Sequence, residues 1–128
     1  MKFHHIGYLT KNISKTFNNF KKINYKKKGK LFNDKILMVN IQFIQNGRNL
    51  IELVKPYKNN KGILKYLSRK NYAYHFAYKV INLENSIKKL KKNGYKVIVN
   101  PVPAKAFNNK KIAFLKMKDD FIIELIES

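Results

Sequence analysis

Residues 5–27 recur at residues 75–97, and a chain that repeats itself at such a distance folds as two copies of one unit. At an offset of 70, His5 falls on His75, Tyr8 on Tyr78, Asn12 on Asn82 and Tyr25 on Tyr95. Lys21, Lys22 and Lys26 fall on Lys91, Lys92 and Lys96. These are seven identities where composition alone gives roughly two. The apolar positions agree as well: Ile13, Phe17 and Phe20 match Leu83, Ile87 and Leu90 at the same i, i+4, i+7 spacing. At an offset of 72, Ile51-Glu52-Leu53 matches Ile123-Glu124-Leu125. The 128 residues therefore read as one domain built from two modules, about 1–57 and 71–128, joined by a linker at 58–70.

Each module predicts the order βαβββ. Residues 2–9 and 72–80 are aromatic-rich strands, and Asn12 and Asn82 are N-caps for helices at about 13–22 and 83–93. Gly94 stops the second helix, and Asn24 stands in its place after the first. Strands follow at about 24–29, 35–45 and 48–55, then at 95–99, 110–117 and 120–127. Asn46-Gly47 and Asp119-Asp120 mark the turns between the last two strands of each module. A short helix is expected near residues 62–67. The fold class is α+β.

Side chains alternate along a strand, so parity assigns faces. Phe3, His5 and Gly7 are predicted to share one face, and Ala73, His75 and Ala77 its counterpart. Tyr8 and Tyr78 fall on the opposite face, which suits the amphipathic helices. Glu52 lies between Leu50 and Val54, and Glu124 between Ile122 and Ile126. A carboxylate within an apolar face is costly unless it is paired or binds a metal. Two histidines and two glutamates related by internal symmetry make His5, Glu52, His75 and Glu124 a candidate set of metal ligands. Imidazole and carboxylate donors suit zinc, cobalt, nickel, manganese or iron, and the pattern does not choose among them. His4 matches Tyr74 and is read as a neighbour of the site.

With no cysteine, the chain has no disulfide framework and no thiolate zinc site. No apolar run approaches the ~20 residues of a membrane span, and no signal-peptide core follows Met1. A cytoplasmic protein is expected. The formal charge is +21, carried by 28 basic residues of which only Arg48 and Arg69 are arginine. Base readout leans on arginine, and Lys, Asn, Ile and Tyr together follow AT-rich codons. The charge is therefore read as a solvated surface that attracts an anionic small molecule, with no nucleic-acid and no membrane partner expected.

The residues that carry the candidate ligands also carry a family resemblance. Phe3-His4-His5-Ile6-Gly7 resembles the first strand of the vicinal oxygen chelate superfamily, which includes glyoxalase I, methylmalonyl-CoA epimerase, extradiol dioxygenases and bleomycin-binding proteins. Ile51-Glu52-Leu53-Val54-Lys55-Pro56 and Tyr74-His75-Phe76-Ala77-Tyr78-Lys79-Val80 resemble the corresponding epimerase strands, and Phe121-Ile122-Ile123-Glu124-Leu125 the closing one. The resemblance covers nearly the whole chain. It implies tandem βαβββ modules forming a cupped mixed sheet around one divalent metal, with the helices outside and a homodimer possible.

The resemblance also implies chemistry. In the epimerase and glyoxalase I branches, proton transfer beside a carbonyl passes through an enolate or enediolate, with a carboxylate as base. Here Glu52 and Glu124 are the candidate catalytic residues. The additional glutamate that epimerases usually carry on a neighbouring strand has no counterpart, since residues 35–45 contain no acid and Gln42 is the nearest polar group. That departure counts against methylmalonyl-CoA as the substrate. The segment Pro101–Lys110 predicts a restrained connection between strands, either a plain crossover or a wall over the site. In the second reading Lys105 and Phe107, with Gln42, meet the substrate. Three functions follow: an epimerase or isomerase, a glyoxalase I-type lyase, and a non-catalytic resistance protein that binds a small molecule. Retention of all four ligands argues against the last.

Overall fold

The computed structural model describes every residue from Met1 to Ser128. The elements run β1 (Lys2–Leu9), α1 (Ile13–Lys21), β2 (Lys26–Asp34), β3 (Val39–Asn46), β4 (Asn49–Pro56), α2 (Lys61–Ser68), β5 (Ala73–Val80), α3 (Leu83–Lys92), β6 (Lys96–Pro103), β7 (Lys111–Lys116) and β8 (Ile122–Glu127). A single 3-10 turn at Lys105–Phe107 lies between β6 and β7. The order is βαβββ, a short helix, then βαβββ, as the repeat predicts, and the class is α+β.

The chain divides into two compact units. One is His5–Tyr74, and the other joins Met1–His4 to His75–Ser128. In the first, the strand order is β2-β3-β4-β1, with β1 parallel to β4 and the other pairs antiparallel. In the second it is β5-β8-β7-β6, with β5 parallel to β8.

Each unit packs one helix on one face of its strands. In the first, Ile44, Ile51 and Leu53 are buried beneath Tyr8, Ile13, Phe17, Phe20 and Tyr25. In the second, Leu115, Ile123 and Leu125 lie beneath Tyr78, Ile87, Leu90, Tyr95 and Val97. The predicted i, i+4, i+7 stripes thus form the helix sides of both cores. The helix ends match too. Asn12 Oδ1 accepts from Lys15 N at 3.1 Å, and Asn82 Oδ1 accepts from Asn85 N at 3.0 Å. Asn24 and Gly94 take left-handed φ values of 72° and 90° after the two helices, so Asn24 fills the role expected of it.

Three expectations need correction. First, β2 continues to Asp34 and β3 begins only at Val39, where the sequence predicts a break after residue 29 and a strand from 35. Gly29, at φ 74°, lets β2 shift register between Lys28 and Phe32 and carry on. Asp34 Oδ1 then accepts from the backbone of both Ile36 and Leu37, and Asn60 Nδ2 donates to the carbonyls of Leu37 and Met38, which fixes 35–38 as a turn. Second, Pro101 and Pro103 belong to β6 rather than to a loop. β6 is an outer strand with two register irregularities, the place where a sheet tolerates residues lacking an N–H. The connection to β7 shortens to Ala104–Lys110. Third, Phe3 does not continue the His5 face. Its ring lies edge-on to Phe76 and Tyr78 at 6.2 and 5.7 Å, on the α3 side, where aromatic contact at the exposed strand end outweighs simple alternation.

Leu53 and Leu125 are fully buried at equivalent places under the two helices. Each Leu→Ala substitution is expected to cost about 3 kcal/mol. Urea unfolding of the two variants checks this, with the two losses similar because the two cores are built alike.

Candidate metal centre

The first unit holds one imidazole–carboxylate pair. Parallel pairing of β1 with β4 sets Gly7 beside Glu52, and antiparallel pairing of β3 with β4 sets Phe43 on the other side of Glu52. Glycine leaves room on the strand face that a larger side chain would fill. His5, two residues before Gly7, reaches Glu52 with Nε2–Oε1 at 3.6 Å. The Phe43 ring meets the His5 imidazole nearly perpendicularly, at 5.5 Å and 82°. Both members of the pair are buried.

The second unit repeats the arrangement. Ala77 lies beside Glu124 on one side and Phe114 on the other. His75 reaches Glu124 with Nε2–Oε1 at 3.4 Å, and the Phe114 ring meets the imidazole at 5.3 Å and 78°. His75, Ala77 and Glu124 are buried with Ile112, Ile122 and Ile126 of the same unit, and Phe114 is half-buried. Each pair therefore stands on an apolar face, walled by a phenylalanine and eased by a small residue.

This donor set fits a divalent ion. Each pair offers one imidazole nitrogen and one carboxylate oxygen as candidate ligand atoms, those of His5 and Glu52 in one unit and those of His75 and Glu124 in the other. Two neutral imidazoles and two carboxylates balance a 2+ charge and belong to the nitrogen–oxygen class favoured by zinc and its first-row neighbours. Buried carboxylates need such a partner or a hydrogen-bonded substitute.

Sequence reasoning missed Phe43 and Phe114. Their offset is 71, between the 70 of the histidines and the 72 of the glutamates. The offset drifts because the hairpins differ by one residue: Gln45 pairs with Leu50 across four residues, whereas the equivalent Lys116 pairs with Ile122 across five. A scan allowing the offset to slide would have found them.

Of the other candidate residues, Gln42 turns away from the His5–Glu52 pair. Gln42 pairs with Leu53, so it occupies the face of β3 that packs on α1, opposite to Phe43 and Glu52. It is buried there, and its Nε2 donates to Gly29 O at 3.1 Å and Phe43 O at 2.9 Å. Lys105 and Phe107 lie in the Ala104–Lys110 connection. That loop is closed by backbone hydrogen bonds from Ala104 N to Lys110 O and from Asn109 N to Ala104 O. Phe107 meets the His4 ring at 5.7 Å. The structure thus joins Phe107 with His4 and keeps Gln42 away from the Glu52 face.

The two pairs allow a direct energetic test in the metal-free protein. His75→Ala leaves Glu124 on its apolar face without the imidazole and is expected to cost about 3 kcal/mol of stability. Adding Glu124→Leu to that variant is expected to recover part of the loss. Urea unfolding of both variants gives the comparison.

With the geometry in hand, three comparisons bear on ancestry. The chain superposes on a hypothetical protein from Bacillus halodurans C-125 with a TM-score of 0.83 and 26% identity, over 99% of this chain and 94% of that one. It superposes on methylmalonyl-CoA epimerase from Mycobacterium tuberculosis at 0.82 and 17%, over 98% and 87%. A variant of Streptomyces coelicolor methylmalonyl-CoA epimerase in complex with 2-nitronate-propionyl-CoA gives 0.83 and 16%, over 100% and 97%. No curated protein matches the chain in sequence. The model of one family matches residues 4–114. On that match, and with the fold of the epimerases, the chain belongs to the Glyoxalase/Bleomycin resistance protein/Dioxygenase superfamily.

Proposed function

We propose that this chain is a divalent-metal-dependent enzyme of the isomerase or epimerase kind, moving a proton at the carbon beside a carbonyl of an anionic small molecule. The observation that carries the reading is the duplicated pair: His5 with Glu52 and His75 with Glu124, each buried, each walled by a phenylalanine. We take these four residues to hold one ion. Such an ion, when bound, supplies Lewis-acid polarisation of a substrate carbonyl.

The remaining chemistry falls to the protein. A carboxylate oxygen of Glu124 or Glu52 takes the α-proton, and the carboxylate of the other pair returns one. The isoleucines and phenylalanines around each pair exclude water, which keeps the removed proton from exchanging freely. Lys105 and Phe107, on their hydrogen-bonded loop, offer a cation and an apolar surface to the substrate. Gln42 has no part in this, since its side chain is spent on Gly29 and Phe43. An acyl thioester is the first substrate class to try, because a structurally similar epimerase is described in complex with 2-nitronate-propionyl-CoA.

A specific observation favours a second reading. β3 carries no acid, Asp34 at the end of β2 is taken up by the backbone of Ile36 and Leu37, and Glu127 has the opposite parity to Glu124, which leaves the two symmetric glutamates. That is the economy of a glyoxalase I-type lyase acting on a hemithioacetal. Proton exchange without net conversion of a thioester, together with turnover of a hemithioacetal, would move the assignment there.

The test starts with metal analysis by mass spectrometry. The wild type is expected to hold about one divalent ion per chain, and folded His75→Ala/Glu124→Ala protein to hold none. In deuterium oxide, the loaded wild type is expected to incorporate deuterium at the α-carbon of an acyl thioester, with Glu124→Gln at least 100-fold slower. Absence of metal under every loading condition would remove the enzymatic reading and leave the binding-protein one.

A further inference from the structure

The unit His5–Tyr74 carries sixteen of the 28 basic side chains, and every one of them is exposed. It has only two carboxylates, Asp34 and Glu52, and both are buried. Its surface is therefore cationic with no acidic side chain in it. The other unit has fewer basic residues and exposes Glu84, Asp119 and Asp120 among them. Composition bias explains many lysines; it does not explain why the acids of one unit are all inside.

The charge is densest along one line. Seven lysines lie between residues 21 and 35, from the end of α1, along β2, to the turn before β3. β2 is the outer strand of its unit, so this line runs along a free edge about 30 Å long. Three large aliphatic side chains break the surface on the same stretch: Ile23 is 58% exposed, Leu31 55% and Ile36 61%. Each follows directly on a lysine, Lys22, Lys30 and Lys35. Exposed aliphatics alternating with lysines are what an anionic bilayer surface accommodates. The apolar groups enter the headgroup boundary and the ammonium groups stay among lipid phosphates. A nucleic-acid backbone would use the lysines and leave the aliphatics without a role.

We propose that the β2 edge, from Lys21 to Ile36, docks this protein onto an anionic lipid surface. The sequence alone leads to no membrane partner, because the exclusion of acids from this surface appears only once Asp34 and Glu52 are seen to be buried. The interaction is peripheral, and it is independent of the metal-dependent reading above.

Vesicle co-sedimentation at 0.15 M salt tests it, comparing phosphatidylcholine alone with phosphatidylcholine carrying phosphatidylglycerol. Binding is expected to the anionic vesicles only. Replacing Lys26, Lys27, Lys28 and Lys30 by Gln is expected to weaken it at least tenfold. Replacing Ile23, Leu31 and Ile36 by Ser is expected to weaken it at least threefold. A control with Lys88, Lys89, Lys91 and Lys92 of α3 changed to Gln removes the same charge and is expected to change binding less than threefold. The proposal is overturned if the wild type ignores anionic vesicles, or if the α3 set matters as much as the β2 set. It is equally overturned if a random-sequence oligonucleotide binds more tightly than the vesicles and the serine variant binds both like the wild type. Circular dichroism of each variant guards against misfolding, and the exposure of every substituted residue makes folding the expected outcome.

Discussion

The structure turns on placing a carboxylate in the middle of an apolar strand face. Glu52 and Glu124 stand between branched aliphatics on strands that a core would otherwise fill with valine and isoleucine. Left alone, each would be among the most destabilising groups in its unit. The surrounding sequence is arranged around that cost. A small residue, Gly7 or Ala77, opens space beside the carboxylate, a histidine two residues earlier in the same strand comes within 3.6 or 3.4 Å, and a phenylalanine shields the imidazole. A residue set that costs stability, built twice, is the mark of a functional constraint.

The rest of each unit serves as a rigid holder. The helix packs on the opposite face of the strands, so the polar pair and the hydrophobic core do not compete for the same surface. Parallel pairing of the first and last strands of a βαβββ module brings histidine and glutamate together although they lie almost fifty residues apart. The crossover helix and the antiparallel strands are the connection that such parallel pairing requires. Duplication then supplies a second pair without new design.

Much of this was legible in the sequence because the repeat kept its signals. The matched caps at Asn12 and Asn82, the helical stripes and the four candidate ligand positions survive at nearly constant offset. What was illegible depended on information that is not local. Phe43 and Phe114 were hidden by a one-residue difference in turn length. The face of Gln42 depends on the register between β3 and β4, which a pattern of alternating residues does not fix for a strand buried on both sides. The prolines of β6 read as a loop because a sequence does not say which strand is outermost. The separation of charge between the two units required knowing which carboxylates are inside.

We propose that the two pairs serve one ion. X-ray absorption at the cobalt edge of the cobalt-loaded protein tests it most directly, since imidazole rings leave a distinct multiple-scattering pattern. Two imidazoles and additional oxygen donors per cobalt are expected in the wild type, falling to one imidazole in either His5→Ala or His75→Ala. One imidazole or none in the wild type, or a spectrum indifferent to His5→Ala, would contradict it.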